Sequence, residues 1–202
     1  MIETLKSVGA IAAEDTRKTG NLLRHFQISK PLISLEKFNE RRRVETLKQR
    51  LSEGIDVALV SDAGTPLLSD PGAFAVSELR AAGFTICPIP GPSALTALVS
   101  AAGFAQTAFH FGGFFPKKEK ESLAILDAVR PLGCPIFFFE SPHRILKTLD
   151  RLATYSPDAT MIAGRELTKK FETIYFGTVL EVREKVKLRS LKGEWCFALK
   201  YD

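Results

Sequence analysis

Blocks of apolar and polar residues alternate along the first half of the chain in a way that predicts alternating helices and strands. Apolar residues recur at helical spacing in some blocks, as Val44, Leu47 and Leu51 do, and form short continuous runs in others. The helices are predicted over residues 2–8, 16–26, 40–52, 72–82 and 93–102, and the strands over 11–13, 31–35, 55–60 and 84–89. Repeated β-α-β units of this kind favour a largely parallel sheet with helices on its faces.

The pattern pauses around Gly103–Gln106 and then restarts, so we place a domain boundary there, between residues 1–104 and residues 105–202. In the second half, strands are predicted over 108–113, 135–140, 160–166, 172–177 and 194–200, and helices over 119–130, from an N-cap at Ser141 onward, and over 178–187. Two α/β halves of similar size predict a ligand cleft between them. Ligands of open α/β sheets bind beyond the carboxyl ends of the strands.

Several predicted strands end in loops of unusual composition. The strand over 55–60 runs into V-S-D-A-G-T-P-L-L-S-D-P-G at 60–72, and P-G-P-S-A follows at 90–94. Glycine lets backbone approach a ligand closely and proline stiffens the loop around it, although each motif alone is also compatible with a simple turn. The motifs A-E-D-T-R (13–17), E-S-P-H-R (140–144) and G-R-E-L-T-K (164–169) follow other strands at the same expected edge. The GxGxxG, P-loop and GxSxG fingerprints are absent from the sequence.

The composition of the 202-residue chain, with 45% apolar and 25% charged residues, is typical of a globular protein. No segment approaches the roughly 18 apolar residues of a membrane helix, and Glu3 and Lys6 interrupt the N-terminus where a signal peptide is apolar. We therefore expect a cytoplasmic protein with no membrane partner. Cys87, Cys134 and Cys196 are far apart and the three histidines lack ligand spacing, so we expect reduced thiols and no metal site.

Basic residues exceed acidic ones by 28 to 23, which gives a formal net charge of +5. The excess is concentrated in four runs, at 41–43, 117–120, 169–170 and 185–192. Solvated helix ends and loops explain such runs about as well as contacts to the phosphates of a nucleic acid do. Charge alone leaves both interpretations open.

Seven motifs, in this order, resemble those of the ribosomal RNA small-subunit methyltransferase I family. They are A-E-D-T-R-K-T-G-N-L-L, F-N-E, A-L-V-S-D-A-G-T-P-L-L-S-D-P-G, P-I-P-G-P-S-A-L-T-A-L, F-F-E-S-P-H-R, A-G-R-E-L-T-K with E-T, and K-G-E, within residues 5–200. The resemblance implies an α/β fold class with two α/β domains of the tetrapyrrole-methylase type and an interdomain cofactor cleft. Residues 1–104 would form the substrate side and carry cofactor loops, and residues 105–202 would form a wall of the cleft.

The same resemblance implies a function. The cofactor would be S-adenosylmethionine, and the reaction would be 2′-O-methylation of a cytidine ribose in the decoding region of small-subunit ribosomal RNA. The partners would be the small ribosomal subunit and a second copy of the chain, since the family usually works as a homodimer. The family pattern also contains an additional first strand with a T-P-I-G-N-L loop and often a helical C-terminal tail, so we expect either a shortened version or a start assigned late.

Positions that match the family's cofactor loops are predicted to bind S-adenosylmethionine, mostly through backbone groups. They are Ser61, Asp62, Ala63, Gly64, Pro66, Pro90, Gly91, Pro92, Ser93, Ala94, Phe139, Glu140, Ser141, Arg165, Glu166 and Leu167. The predicted RNA contacts are Asn39, Arg41, Arg42, Lys117, Lys118, Arg144, Lys169 and Lys170. For Arg144 and Arg165, pairing with a nearby carboxylate is an equally good interpretation. Phe38, Phe115 and Phe171 are candidates for stacking on bases, with burial in a core as the alternative.

Methyl transfer to a ribose hydroxyl requires alignment of the reacting atoms and an acceptor for the hydroxyl proton. The candidate acceptors at the predicted edge are Glu14, Asp15, Asp62, Glu140 and Glu166. We predict that Glu14, Asp15 and Arg17 form the catalytic, nucleotide-facing side, with Glu14 as the candidate base and Asn39 and Glu40 nearby. An ion pair between Glu14 and Arg17 is the alternative role for that carboxylate.

Other functions stay open at this point. A methyltransferase of small tetrapyrroles would share the fold, but A-E-D-T-R, E-S-P-H-R and the basic runs argue against it. A non-catalytic RNA-binding remnant would bind RNA without the cofactor. A nucleotide-sugar enzyme is disfavoured because the sequence lacks a diphosphate-binding loop.

Overall fold

The computed structural model describes residues 1–104 and 108–201, and it divides the chain into two compact units, Met1–Pro92 and Ser93–Asp202. The sequence pattern placed the boundary at residues 104 and 105, on the edge of a segment, 105–107, that lies outside the described residues. The division falls earlier because the helix that follows Ser93 packs on strands of the second unit.

The first unit alternates helices and strands as the sequence pattern predicts. Its elements are α1 (Ile2–Ser7), β1 (Ala10–Ala13), α2 (Thr16–His25), β2 (Leu32–Ser34), α3 (Glu40–Ser52), β3 (Val57–Val60) and α4 (Ala73–Ala81). Across residues 1–92, all of which are described, the strands form one parallel sheet in the order β2-β1-β3. The predicted parallel arrangement is therefore confirmed for this unit.

The central strand β1 is buried on both faces, which is why it reads as the uninterrupted apolar run A-I-A-A. On one face, Ala12 packs with Leu35, Leu47 and Leu79, so α3 and α4 cover that side. On the other face, Ile11 packs in a cluster with residues of α1 and α2, among them Leu5, Val8 and Leu23. The short sheet is thus enclosed between two helical layers.

One predicted strand is wrong. Residues 84–89 alternate apolar and polar side chains, yet the structure assigns no strand to them, and Cys87 and Ile89 are exposed. A strand needs backbone hydrogen bonds to a neighbour, and within the described chain residues 84–89 form no ladder with the free edge of β3. Phe84 and Ile86 pack on the core through their side chains.

The second unit contains a larger, mixed sheet. Its elements are α5 (Ala94–Ala101), β4 (His110–Phe114), α6 (Glu119–Val129), β5 (Ile136–Glu140), α7 (Ile145–Tyr155), β6 (Thr160–Arg165), β7 (Thr173–Thr178), α8 (Val179–Lys187) and β8 (Trp195–Lys200). Among its described residues the strand order is β4-β5-β8-β6-β7, with only β4 and β5 parallel. The largely parallel pattern therefore does not extend to this half.

The two faces of this sheet are covered differently. Helices α6, α7 and α8 bury one face in a core that includes Phe138, Leu149, Val182 and Phe197. Helix α5 lies against β8 and β6.

Helix α7 begins at Ile145 with Arg144 as its N-cap, later than the Ser141 start predicted, because residues 141–144 form a turn. In the described ranges, no helix combines the length and apolar character needed to cross a bilayer.

Candidate functional site

The candidate catalytic edge begins with the pairing of two parallel strands. Ala13 of β1 lies opposite Val60 of β3, so the loops that follow them leave the sheet side by side. The backbone N–H of Asp62 donates to Oε2 of Glu14 over 3.2 Å, and the N–H of Asp15 donates to Oδ1 of Asp62 over 3.2 Å. These contacts join residues 48 and 47 positions apart in the sequence. The strand pairing therefore brings three of the predicted carboxylates to one edge.

Asp15 is the N-cap of α2 and is held by Arg17. Its Oδ1 accepts hydrogen bonds from the backbone N–H and from Nε of Arg17, over 2.9 and 3.1 Å, and its Oδ2 accepts one from Nη2 over 2.9 Å. The side-chain and backbone hydrogen bonds of Arg17 lower the pKa of Asp15 to about 2. Asp15 is thus ionised at neutral pH with both oxygens engaged, which makes it a poor proton acceptor.

The carboxylate of Glu14 accepts fewer hydrogen bonds than that of Asp15. Its half-buried carboxylate accepts the hydrogen bond of Asp62 at Oε2, and its Oε1 has no hydrogen-bond partner in the part of the chain that the structure describes. Arg17 pairs with Asp15, so among the described ion pairs the Glu14–Arg17 pair considered above is not formed. Glu14 therefore has one acceptor oxygen at this edge that makes no described hydrogen bond, whereas both oxygens of Asp15 accept hydrogen bonds from Arg17.

Sequence reasoning missed Lys18, whose Nζ lies 2.6 Å from Oδ2 of Asp62. The hydrogen bond with Asp62 raises the pKa of Lys18. This pair adds a second link between α2 and the loop after β3. Lys18 belongs to the A-E-D-T-R-K motif, but no local pattern indicates a partner 44 positions away.

A cleft of about 870 Å³ opens beside this edge within the first unit. Its lining residues are Glu14, Asp15, Thr16, Arg17, Glu36, Lys37, Phe38, Glu40, Asp62, Ser69, Asp70, Pro71, Gly72, Ala73 and Phe74. Six of them are carboxylates and two are basic, so the lining is acidic overall. Two of the carboxylates, Asp15 and Asp62, are paired with Arg17 and Lys18. In the described ranges, no group of three or more potential ligands is arranged to hold a metal ion.

Asn39 and Glu40, predicted to lie near the nucleotide, form hydrogen bonds to other segments of the protein at this cleft. The side-chain oxygen of Asn39 accepts from the N–H of Glu36 over 2.8 Å, and its amide donates to Oγ of Ser34 over 3.0 Å. Oε1 of Glu40 accepts from the N–H of Ala75 over 2.8 Å, in the first turn of α4. Glu40 therefore ties the start of α3 to the start of α4.

The two predicted cofactor loops of the first unit contact each other. Oγ1 of Thr65 donates to the carbonyl of Pro92 over 3.3 Å, and Oγ of Ser61 donates to the carbonyl of Ala63 over 3.3 Å. A Cβ added at Gly91 would meet no heavy atom within 4 Å. The hydroxyl of Ser93 is buried and has no partner within the described chain. Thr65 thus links the two loops, and the backbone at Gly91 is open to a ligand.

In the second unit, Glu140 is the centre of a buried polar cluster. Its side chain is 1% exposed and accepts hydrogen bonds from Nε of Arg144 (2.8 Å), Oγ1 of Thr148 (2.7 Å) and the N–H of Ser141 (2.7 Å). Arg144 also donates to the carbonyl of Phe115 over 2.9 Å. The structure thus favours the pairing interpretation of Arg144, and Thr148 is a member of the cluster that sequence reasoning missed.

The predicted residues after β6 are also held by local contacts. Arg165 donates to the carbonyls of Lys192 and Phe171, over 2.8 and 3.1 Å. Oε1 of Glu166 accepts from the N–H of Glu194 over 2.8 Å, which is the main reason that the pKa of Glu166 is lowered. Lys169 forms ion pairs with Glu166 and Glu194, and Leu167 is buried.

The remaining predicted RNA contacts are surface side chains. Arg41 stacks over the ring of Phe74, with 4.6 Å between its guanidinium carbon and the ring centroid, and Phe74 lines the acidic cleft. Arg42 and Lys117 are exposed, and Lys118 pairs with Glu121. Lys170 lies over the ring of Phe171. These residues are available to phosphates, and their role in RNA binding stays a prediction.

With this fold and site described, comparison with known proteins identifies the class. The family model of the tetrapyrrole (corrin/porphyrin) methylases matches residues 1–183. Two solved structures share the fold: diphthine synthase, with a TM-score of 0.71 and 15% identity, and cobalt precorrin-4 methyltransferase, with 0.66 and 19%. Each alignment covers 98% of this chain, and 82% and 86% of the respective neighbour. The chain is therefore a member of the tetrapyrrole-methylase class.

Comparison with curated relatives identifies the family within this class. Proteins named ribosomal RNA small subunit methyltransferase I are 44% identical over 187 residues in Escherichia coli O157:H7, 44% over 174 in Vibrio cholerae and 40% over 199 in Bacillus subtilis. These alignments cover 92%, 86% and 98% of this chain and 65%, 60% and 68% of the relatives. The chain belongs to the ribosomal RNA small subunit methyltransferase I family and spans about two thirds of the length of these members. The cofactor implied by this family is S-adenosylmethionine.

The contact between Asp15 and Arg17 generates a prediction about pH. Since the pKa of Asp15 is lowered from 3.8 to about 2 in the folded state, its contribution to stability is present above pH 3.8 and is lost as the pH falls through 2. NMR titration of the Asp15 carboxyl carbon should give a midpoint near 2, and Arg17→Gln should move it upward. Arg24→Gln, on the same helix but bonded to Asn21, is the matched control. An Asp15 midpoint that Arg17→Gln leaves unchanged would contradict the assignment.

Proposed function

We propose that the chain transfers a methyl group from S-adenosylmethionine to the 2′ oxygen of a cytidine ribose in the decoding region of small-subunit ribosomal RNA. The observation that carries the proposal is the acidic cleft at the shared end of β1 and β3, where Glu14 presents an oxygen without a partner among the described residues. The names of the curated relatives support ribosomal RNA as the substrate. We further propose that the reaction takes place in the cytoplasm, where small ribosomal subunits are found.

The residues around the contacting loops of the first unit fit the cofactor. Space beside Gly91 can admit a ligand against bare backbone, and the buried hydroxyl of Ser93 needs a hydrogen-bond partner. When bound, S-adenosylmethionine supplies a methyl group activated by its positively charged sulfur. We propose that residues 61–66 and 90–94 hold it, mainly through backbone N–H and carbonyl groups. The predicted cofactor roles of Phe139–Ser141 and Arg165–Leu167 belong to the same proposal.

The chain's own residues would then position and deprotonate the ribose. Glu14 accepts the proton of the 2′ hydroxyl at Oε1, while the N–H of Asp62 holds its other oxygen in place. Asp15 keeps Arg17 oriented at the cleft, and Lys18 keeps Asp62 oriented. Alignment of the ribose oxygen can supply roughly 7–11 kcal/mol of the barrier.

We also propose that the functional form is a homodimer. The second unit exposes two large apolar side chains two positions apart on the edge strand β7, Ile174 and Phe176, which therefore lie on the same face. Exposed apolar groups of this size commonly mark protein interfaces. Sedimentation velocity at micromolar concentration should show a dimer, and Phe176→Ser should weaken it. A monomer under these conditions would be incompatible with the proposal.

The cofactor proposal predicts the effect of Gly91→Ala. The added methyl group meets no protein atom within 4 Å, so the fold should be unaffected, but it would occupy space assigned to the cofactor. Calorimetric titration should show S-adenosylmethionine binding weakened by about tenfold or more, as expected for overpacking by 1–3 kcal/mol.

The matched control for this experiment is Gly20→Ala, on α2, where the new methyl group would make an ordinary 3.7 Å contact with Leu32. Gly20→Ala should leave the cofactor affinity unchanged. Wild-type affinity in Gly91→Ala would mean that the cofactor does not approach this loop.

The proposed base predicts the effect of Glu14→Gln. The amide oxygen can still accept the hydrogen bond of Asp62, so the edge should stay intact, but the side chain can no longer take a proton. Methyl transfer to unmodified small subunits should fall by about 10²–10⁴ in kcat, with S-adenosylmethionine affinity unchanged. Glu45→Gln removes the same charge on α3 outside the cleft lining and should be fully active. Full turnover by Glu14→Gln would eliminate Glu14 as the base.

A further inference from the structure

Phe38 is the most exposed of the large apolar side chains that the structure describes. Its side chain is 98% accessible, although it sits between the buried Leu35 and the first turn of α3. A single exposed apolar residue is common and needs no explanation by itself. The position of Phe38 and the hydrogen-bonded turn that carries it are what distinguish it.

The turn that carries Phe38 is held by hydrogen bonds on both sides. The carbonyl of Glu36 accepts from the N–H groups of Asn39 and Glu40, each over 3.0 Å, and the N–H of Glu36 donates to the side-chain oxygen of Asn39 over 2.8 Å. Ser34 joins this network, since its hydroxyl donates to Oε1 of Glu36 over 2.9 Å and accepts from the Asn39 amide. The backbone at Phe38 is therefore ordered before any ligand arrives, which reduces the entropic cost of binding there.

The ring of Phe38 lines the same cleft as Glu14 and Asp62. The carboxylates of that cleft disfavour phosphate and favour neutral groups that donate hydrogen bonds. A nucleoside offers both hydroxyl donors and a flat aromatic face, and such a face stacks on an aromatic side chain whatever the base. A ribose whose 2′ oxygen must reach Glu14 places its base elsewhere in the cleft, whose lining contains two aromatic residues, Phe38 and Phe74. Phe74 is half-buried and covered by the guanidinium of Arg41, which leaves the exposed Phe38 as the platform.

We propose that Phe38 is the stacking platform for the base of the target nucleotide, which enters the acidic cleft unstacked from its RNA neighbours. This inference rests on the proposed function and adds to it a positioning residue. The other two aromatic candidates do not fill the role at this cleft. Phe115 is 1% exposed inside the core of the second unit, and Phe171 lies in that unit beneath Lys170.

A fluorescence experiment tests the contact directly. The chain contains one tryptophan, Trp195, which is 2% exposed, so Phe38→Trp adds a single exposed reporter above a buried background. The probe is an unmethylated RNA hairpin with the decoding-region sequence of the small subunit. Its addition should quench the new emission saturably, because a stacked base quenches indole fluorescence. Leu132→Trp, at an exposed position of the other unit where no RNA contact is predicted, is the control and should show little quenching.

Kinetics separate stacking from simple hydrophobic contact. Phe38→Leu keeps an apolar side chain but removes the aromatic face, and it should lower kcat/KM for unmodified small subunits by about tenfold or more. Phe38→Trp should retain most activity, and S-adenosylmethionine affinity should be the same in all three proteins. Quenching of Phe38→Trp together with loss in Phe38→Leu supports the proposal. Absence of quenching, or wild-type kcat/KM in Phe38→Leu, overturns it.

The two proposals fail in different ways. If the wild-type chain methylates no small subunit, the proposed function fails, whereas quenching of Phe38→Trp by the hairpin still reports a base on residue 38. If the wild type is active and Phe38→Leu is equally active, the function stands and the stacking role is rejected.

Discussion

The parallel pairing of β1 with β3 is the constraint on which the candidate site depends. It sets Ala13 beside Val60, and from that register the next residues of both strands must emerge together. Glu14 and Asp62 meet because of this register, and a slip of one residue would turn every side chain of β3 to the opposite face of the sheet. The apolar layers on the two faces of β1 hold this register. The packing of the core of the first unit therefore also sets the geometry of its acidic edge.

The formal net charge of +5 does not show how acidic and basic residues are distributed in the chain. The cleft of the first unit is lined by six carboxylates and two basic residues, Arg17 and Lys37, whereas exposed basic side chains such as Arg42, Lys117 and Lys170 lie outside its lining. A polyanion such as RNA would be attracted by the outer charges and repelled by the cleft itself.

Much of the fold was accessible from the sequence because local patterns determine it. Apolar spacing located helices such as α3, and apolar runs located β1 and β5 within one or two residues. The strand predicted at 84–89 failed since a strand also depends on a distant neighbour, which no local pattern reveals. The candidate site was predictable from the sequence to a similar extent. Motifs indicated Glu14 and Asp62, but the partners that decide their chemistry, Lys18 for Asp62 and Thr148 for Glu140, are set by packing between elements.

The outer edge of β3 has a consequence for the behaviour of the chain in solution. Val57–Val60 is an apolar strand with one side unpaired in the described structure. Segment 84–89 packs Phe84 and Ile86 on the same core and leaves Cys87 and Ile89 exposed. Unpaired strand edges of this kind recruit backbone from other molecules, and they drive association unless a charge, a proline or a further strand covers them. The prolines at 88, 90 and 92 cannot donate backbone hydrogen bonds and so act as gatekeepers beside this edge. Colloidal stability of the chain should therefore be governed at β3, on the side of the sheet away from β2.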